Sequence, residues 1–279
     1  MKKIVSPSSE IAPGQSIALL QALHVLTRDG ALNQDSRRKL KQINHLLQFI
    51  KPLLTPPPGR PLTLVDHGAG KSYLGFLLYD LFCKAQPDAY RLYSIETRAE
   101  LVEKSRDLAA RLGFGGMAFL HLSVAQAIES AQLPNQIDVV TALHACDTAT
   151  DDAIRFAIKK QAQHLVLVPC CQAEVARFLN QTKHDPLPQN PLSELWRRPL
   201  HTREFGSQVT NVLRCLQLEA HGFAVTVTEL VGWEHSLKNE LILASRKGPP
   251  RPQAAARLQE VLQALGLQAA LAARFFGPD

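Results

Sequence analysis

The sequence has no long apolar run and few cysteines, and each absence excludes a class of protein. No apolar run reaches the roughly 20 residues that a membrane span requires. Residues 1–10 include two lysines but lack the apolar core of a signal peptide. The cysteines number five, two of them adjacent, and no C-x-x-C or H-x₃₋₅-H spacing marks a zinc site. We therefore expect a cytoplasmic protein without disulfides, metal or membrane contact.

The charge balance is moderately basic. Lysine and arginine number 31 against 25 acidic residues, which gives a formal charge of +6 and a pI of about 9.1. This excess is typical of proteins that bind a polyanion such as RNA. Many soluble proteins of the same charge bind no nucleic acid, so charge alone leaves the partner open.

Changes in the apolar pattern divide the chain into three parts. Residues 1–58 carry leucines and isoleucines at three- and four-residue steps, which predicts a helical N-terminal extension ended by a proline run. Residues 59–248 alternate short apolar runs with helical patterns, the signature of an α/β domain. Gly248-Pro249-Pro250 breaks the chain again, and residues 249–279 read as a C-terminal helical tail. No internal repeat is present.

The middle part predicts a Rossmann-type sheet that is mainly parallel, because strands and helices alternate along it. Seven segments have strand character: 62–66, 91–96, 118–122, 137–143, 165–168, 223–231 and 241–245. The polar, proline-containing stretch 182–199 reads as a long excursion, and a helix is expected from about residue 209 to residue 221.

A glycine-rich turn follows the first strand. Gly68 and Gly70 stand where a ligand must approach the backbone closely, and Glu96 ends the second strand, where a carboxylate can accept two ribose hydroxyls. A phosphate-binding P-loop needs glycine where Val65 stands, and a dinucleotide motif needs glycine where Tyr73 stands. S-adenosylmethionine (SAM) carries no phosphate, so it needs neither glycine. The expected SAM-binding residues are Asp66, Gly68, Gly70, Ser72, Tyr73, Leu74, Glu96, Thr97, Ser123, Val124, Leu143 and His144.

The fourth and fifth strands are expected to end at the same edge, beside the methyl acceptor. The fourth is followed by His144 and Asp147, each of which has a structural alternative: a hydrogen-bonded histidine and a helix N-cap. The fifth is followed by Pro169, Cys170 and Cys171, which we interpret as pocket lining rather than nucleophiles.

Three motifs together resemble one methyltransferase family: the Asp-x-Gly-Ala-Gly-Lys-x-Tyr-Leu turn, Leu-His-Ala-Cys-Asp-x-Ala-Thr-Asp, and Pro-Cys-Cys. The stretch 38–47 and the motif at 236–240 are similar as well. The family includes the eukaryotic tRNA acceptor-stem 2′-O-methyltransferases, methyltransferase-like proteins and bacterial relatives. The resemblance implies a class I fold with a seven-stranded sheet and SAM at its carboxyl edge. Two departures are Ser72, at a glycine-type position, and the absence of the zinc-finger elements of the tRNA enzymes.

Charge and resemblance suggest RNA as the methyl acceptor, either rRNA or tRNA. The ribose 2′-oxygen is one candidate for the accepting atom. Alternatives are a protein or small-molecule methyltransferase and a SAM-binding scaffold without turnover. The candidates for proton removal are His144, Asp147, Lys71 and Lys238, the last paired with Glu240. The candidate substrate contacts, besides the strand-end residues, are Trp233, Arg37, Arg38, Lys41, Arg197 and Arg198. Trp233 has a buried sheet-edge position as its alternative.

Overall fold

A computed structural model describes residues 11–32, 34–143, 147–169, 172–181, 191–230 and 240–276. Its sheet has seven strands in the order β3-β2-β1-β4-β5-β7-β6. The strands are β1 (Leu62–His67), β2 (Tyr90–Glu96), β3 (Met117–His121), β4 (Val139–Leu143), β5 (His164–Val168), β6 (Phe223–Glu229) and β7 (Glu240–Arg246). The first five are parallel, and β7 is antiparallel to both β5 and β6. The predicted α/β class and the mainly parallel sheet are confirmed.

Ten α-helices connect or flank these strands within the described residues. They are α1 (Ile17–Ala22), α2 (Gln34–Ile50), α3 (Tyr73–Leu78), α4 (Ala99–Leu112), α5 (Val124–Glu129), α6 (Ala149–Lys159), α7 (Glu174–Gln181), α8 (Pro199–Ala220), α9 (Pro252–Ala264) and α10 (Gln268–Phe276). One π-helical turn, Tyr79–Cys83, continues α3. A 3₁₀ helix, Pro191–Trp196, precedes α8. None of the described helices combines the length and apolar composition needed to cross a membrane.

Both faces of the sheet are covered by helices. On one face, α1 to α4 bury Leu20, Leu46 and Phe76 against the strands. On the other face, α5, α6 and α8 bury residues such as Phe156 and Leu218. A parallel sheet is stable in this setting, because its strands are apolar on both sides. The N-terminal helices therefore share one continuous core with β1 and β2.

A third apolar cluster lies beside the sheet. It joins α7, α8, α9, α10 and the 3₁₀ helix through a set of buried residues that includes Leu179, Trp196, Leu213, Leu262 and Phe275. Gly206 of α8 permits the close approach of α7, since an added Cβ atom would lie 2.7 Å from the Ala176 nitrogen. Asn211 of α8 is level with the carboxyl edge of the sheet, because it bonds Glu240 there. The 12 residues of α8 before it span about 18 Å along the helix axis.

Two helical predictions needed correction. The helix expected from about residue 209 begins ten residues earlier, at Pro199. Proline suits the first position of a helix, where its missing N–H has no helical partner, so Pro199 marks a start. The single C-terminal helix is divided into α9 and α10 at Gly266, whose φ of 68° ends a helical turn. The helix α7 was not predicted, since it is short and follows directly on the cysteine pair.

Candidate active site

The turn from β1 to α3 has the left-handed backbone that its glycines allow. Gly68 has a φ of 66° and Gly70 a φ of 57°. Ser72, just before α3, shares this conformation with a φ of 54°. Its hydroxyl does not cap the helix but lies 2.5 Å from the hydroxyl of Ser94 on β2. The Ser72 side chain thus ties the turn to the neighbouring strand, and this strained position explains why glycine is the residue type expected there.

A cavity of about 430 Å³ lies over this turn at the carboxyl edge of the sheet. Pockets of this size hold small organic ligands. It is surrounded by α2, the β1–α3 turn with the start of α3, the connection from β2 to α4, and the ends of β4 and β6. The lining residues are Gln42, Ile43, Leu46, Asp66, Gly68, Ala69, Gly70, Lys71, Tyr73, Leu74, Arg98, Leu143 and Leu230. Of the twelve predicted SAM-binding residues, six line this cavity, and Lys71 joins them.

Asp66 supplies a buried carboxyl group at the floor of the cavity. Only 2% of the residue is exposed, and the Thr141 hydroxyl donates a hydrogen bond of 2.9 Å to its Oδ1. Burial raises the pKa of Asp66 to about 7, although hydrogen bonds from Thr141 and the Gly75 backbone oppose the shift. The side chain therefore exists as carboxyl and carboxylate in comparable amounts near neutral pH.

Glu96 ends β2 beside the same turn. Its Oε2 accepts a hydrogen bond of 2.8 Å from the Gly70 amide, and its Oε1 accepts from the Thr97 and Arg98 amides. The Arg98 guanidinium spans both oxygens at 3.0 and 3.2 Å. Burial alone would raise the pKa of Glu96, but the hydrogen bonds from Arg98 and Gly70 outweigh it and lower the pKa to about 2. Glu96 is thus a fixed anion at the strand end.

The remaining predicted cofactor residues lie elsewhere. Thr97 is adjacent to Glu96 and bonds its carboxylate. Ser123 and Val124 do not line the cavity; Ser123 caps α5 through reciprocal hydrogen bonds with Gln126. His144 lies outside the described residues.

Some cavity residues were not anticipated from the sequence. Gln42, Ile43 and Leu46 belong to α2, whose apolar stripe predicted packing and carried no sign of a ligand wall. Leu230 reaches the cavity from the end of β6, far away in sequence. Arg98 lies two residues after the predicted Glu96, and this closeness in sequence was the one signal that could have identified it as a cavity residue.

The candidate Asp147 has a backbone φ of 51° and a side chain that is 38% exposed. Its carboxylate accepts hydrogen bonds from the Ala173 amide at 3.4 Å and from Arg177 at 3.3 Å. No side chain caps the start of α6, where Thr148 is the N-cap residue. Asp147 therefore connects the loop after β4 to the start of α7.

Next to Asp147 lies a buried polar network centred on Arg214 of α8. The Arg214 guanidinium bonds both carboxylate oxygens of Asp151, at 2.7 and 2.9 Å, and the Asp147 carbonyl at 2.7 Å. It also bonds Asn211, whose amide donates to Glu240 at 2.5 Å. Burial raises the pKa of Glu240, while hydrogen bonding to Asn211 opposes the shift. The network joins the start of α6, which follows β4, to the start of β7, and no sequence motif indicated it.

The predicted substrate residues are distributed around the carboxyl edge. Pro169 is buried directly after β5. Arg37 and Lys41 are exposed on α2, the helix that also carries Arg38. Arg197 and Arg198 precede α8, and Arg197 pairs with Glu194 at 2.7 Å. Four candidates lie outside the described residues: Cys170, Cys171, Trp233 and Lys238.

The described residues contain no group of three or more His, Cys, Asp or Glu side chains arranged to hold a metal ion. The donor set instead suits SAM. Glycines of the β1–α3 turn line the cavity, two carboxyl groups stand at adjacent strand ends, and leucines form the apolar wall. With the sheet order and the antiparallel β7, this site defines a SAM-dependent methyltransferase of the class I fold.

Comparison with known protein families supports the same class of enzyme. A family model described as a methyltransferase domain matches residues 38–178, half of the chain, and the chain belongs to this family. The match begins within α2, includes the glycine-rich turn and both acidic strand ends, and ends within α7.

Two curated relatives are named glutathione S-transferase C-terminal domain-containing protein. The Bos taurus protein is 24% identical over 78% of this chain and 35% of its own length. The Xenopus laevis protein is 24% identical over 75% of this chain and 34% of its own length. The chain thus spans about a third of the length of these relatives.

Among solved structures, a Klebsiella pneumoniae protein described as an O-methyltransferase aligns with a TM-score of 0.49 and 14% identity, over 85% of this chain and 93% of its own. A methyltransferase from Geobacter sulfurreducens aligns with a TM-score of 0.43 and 14% identity, over 85% and 92%. These scores are too low to assign a substrate.

Proposed function

We propose that this methyltransferase transfers the methyl group of SAM to RNA. The observation that carries the proposal lies on α2. Gln42, Ile43 and Leu46 of this helix line the cofactor cavity. Lys41 directly precedes Gln42 and Arg37 lies just over one turn earlier, and both are exposed. A polyanion held by these cations would therefore lie beside the bound cofactor.

The extension of α8 supports the same proposal. A large substrate needs surfaces outside the sheet, because the crevice itself accepts one reacting group. The 12 residues of α8 that precede Asn211 span about 18 Å along the helix axis, and the exposed Arg197 and Arg198 stand just before its first residue. Basic residues thus flank the crevice on two sides: Arg37 and Lys41 on α2, and Arg197 and Arg198 just before α8.

When bound, SAM supplies a methyl group on a positively charged sulfur, which reacts with a nucleophile in line with the departing sulfur. The residues of this chain orient the reactants. Glu96 can accept the ribose hydroxyls, and Asp66 can hold the amino group through water. For a ribose hydroxyl acceptor, Asp147 and Lys71 are the candidates for proton removal within the described residues. His144 and Lys238 remain candidates from the sequence.

Methyl transfer to a cellular extract tests the proposal. The purified protein is incubated with SAM carrying a labelled methyl group and with total RNA, total protein or the small-molecule fraction from a strain that lacks its gene. We expect label in RNA and none in the protein or small-molecule fractions. The Gly68→Val variant is the matched control, because a side chain at this left-handed glycine would be strained and would occupy the space of the cofactor. Label in protein or in a small molecule would show that this fraction, and not RNA, contains the acceptor. Label in no fraction would indicate a SAM-binding scaffold without turnover.

A further inference from the structure

A second cavity adjoins the first on the side of α4. It measures about 750 Å³ and lies between the end of α1, at Ala22 to His24, and the face of α4 that carries Leu101, Lys104, Leu108 and Arg111. We call it the α4 groove. Lys71 and Tyr73 line both this groove and the cofactor cavity. The Tyr73 hydroxyl donates a hydrogen bond to the Leu23 carbonyl, so this side chain forms a shared wall.

The charge of the α4 groove is unbalanced. Three exposed cations line it, Lys71, Lys104 and Arg111, and the described lining residues include one carboxylate, Asp107. Within the described part of the chain, none of the three cations is in an ion pair. Other exposed arginines do have acidic partners, as in the pair of Arg106 with Glu103. The groove therefore presents positive charge that the fold itself does not neutralise.

The shape and the lining indicate the class of ligand. Leu101 and Leu108 give the groove an apolar surface, and the half-buried Tyr73 also lines it. Sites for single-stranded nucleic acid combine cations that follow the backbone with aromatic or apolar surfaces for sugars and bases. Lys104 and Arg111 are seven residues apart on one helix, which places them on the same face about 10 Å apart along its axis.

We propose that the α4 groove binds the phosphate backbone of a single RNA strand and leads it past Lys71 toward the cofactor cavity. This inference rests on the proposed RNA substrate and adds a second contact surface to α2. Lys104 and Arg111 each neutralise one phosphate, while Asp107 between them keeps the backbone at the rim of the groove.

A salt series of RNA binding tests the groove. The probe is a fluorescein-labelled single-stranded RNA of mixed sequence, and anisotropy gives its Kd for the wild type and for the Lys104→Gln/Arg111→Gln variant. We expect the variant to bind about tenfold more weakly at low salt, with the slope of log K against log salt reduced by about two units. The matched control is Lys51→Gln/Lys159→Gln, which removes two exposed lysines that line neither cavity. Calorimetry should show the same SAM affinity for all three proteins.

The outcomes separate the groove from the proposed function. If the wild type binds RNA in a salt-dependent way and the groove variant binds it equally well, the α4 groove is not an RNA contact, and RNA remains the proposed acceptor. If the control variant loses as much RNA affinity as the groove variant, the loss reflects net charge, and the proposal that the α4 groove binds RNA is again contradicted. If wild-type binding does not change with salt, the RNA proposal fails, and the groove fails with it.

Discussion

Asp66, which lines the cofactor cavity, and Glu96, which bonds the turn beside it, differ in how firmly they hold their charge. Asp66 has a pKa of about 7 because it is buried, whereas hydrogen bonds lower the pKa of Glu96 to about 2 despite its burial. Only Asp66 therefore changes its charge across the neutral range. Without ligand, its burial favours the protonated form, so its contribution to stability is lost as the pH rises through 7.

The affinity for SAM should rise with pH, in contrast to the stability of the ligand-free protein. The amino group of SAM is a cation, and Asp66 attracts it only as a carboxylate. The ionised fraction of a group with this pKa rises roughly tenfold between pH 6 and 8. We therefore expect the Kd for SAM, measured by calorimetry, to fall by up to about tenfold over this range.

Two variants check the assignment of this pH dependence. Asp66→Asn should bind SAM more weakly at pH 8 and lose the dependence on pH. Glu96→Gln should bind about 1–3 kcal/mol more weakly at every pH and keep the dependence, because Glu96 is ionised throughout. An unchanged pH profile in Asp66→Asn would show that another group titrates.

At the scale of elements, Arg214 holds α8 against the start of α6. Its side chain is 1% exposed and that of Asp151 is 8% exposed, so the ion pair is removed from water. Breaking one partner of such a pair leaves a buried charge without compensation, which typically costs about 3–5 kcal/mol. Arg214→Met should lower the free energy of unfolding in urea by that amount.

A second pair on the same helix is the control. Arg257 of α9 bonds Glu219 of α8, but its side chain is 58% exposed. Because exposed pairs contribute about 0–1 kcal/mol, Arg257→Met should change stability little. The double variant Arg214→Met/Asp151→Leu should be more stable than Arg214→Met alone, since no charge then stays unpaired. Equal losses in the two single variants would contradict the role of burial.

For the molecule as a whole, the RNA proposal predicts that charge on α2 acts on RNA and not on SAM. Replacing Arg37, Arg38 and Lys41 with Ala removes cations near the cofactor cavity but none of the residues that line it. RNA affinity should fall, and the salt slope should flatten by about one unit for each lost phosphate contact. SAM affinity should stay nearly unchanged. Coincident salt plots for wild type and variant would exclude α2 as an RNA contact.

Much of the fold was accessible from local patterns. Buried parallel strands are short apolar runs, and their alternation with helices leaves few possible topologies, so the seven strands were located to within about two residues. The glycine turn and its two acidic strand ends were predictable for a similar reason. Ligands of such sheets bind at the carboxyl ends of the strands, and Asp66 and Glu96 occupy two of those ends.

Local patterns could not show which helices close the site. The apolar stripe of α2 has the same period whether it faces a core or a cofactor, so only the folded chain placed Ile43 and Leu46 at the cavity. The pairing of Arg214 with Asp151 joins residues 63 positions apart, and that of Arg60 with Asp138 joins residues 78 apart. The sequence by itself determined the sheet and the cofactor turn, because both follow from neighbouring residues. The tertiary structure decided the cavity walls and the buried charge network, because those depend on contacts between distant segments.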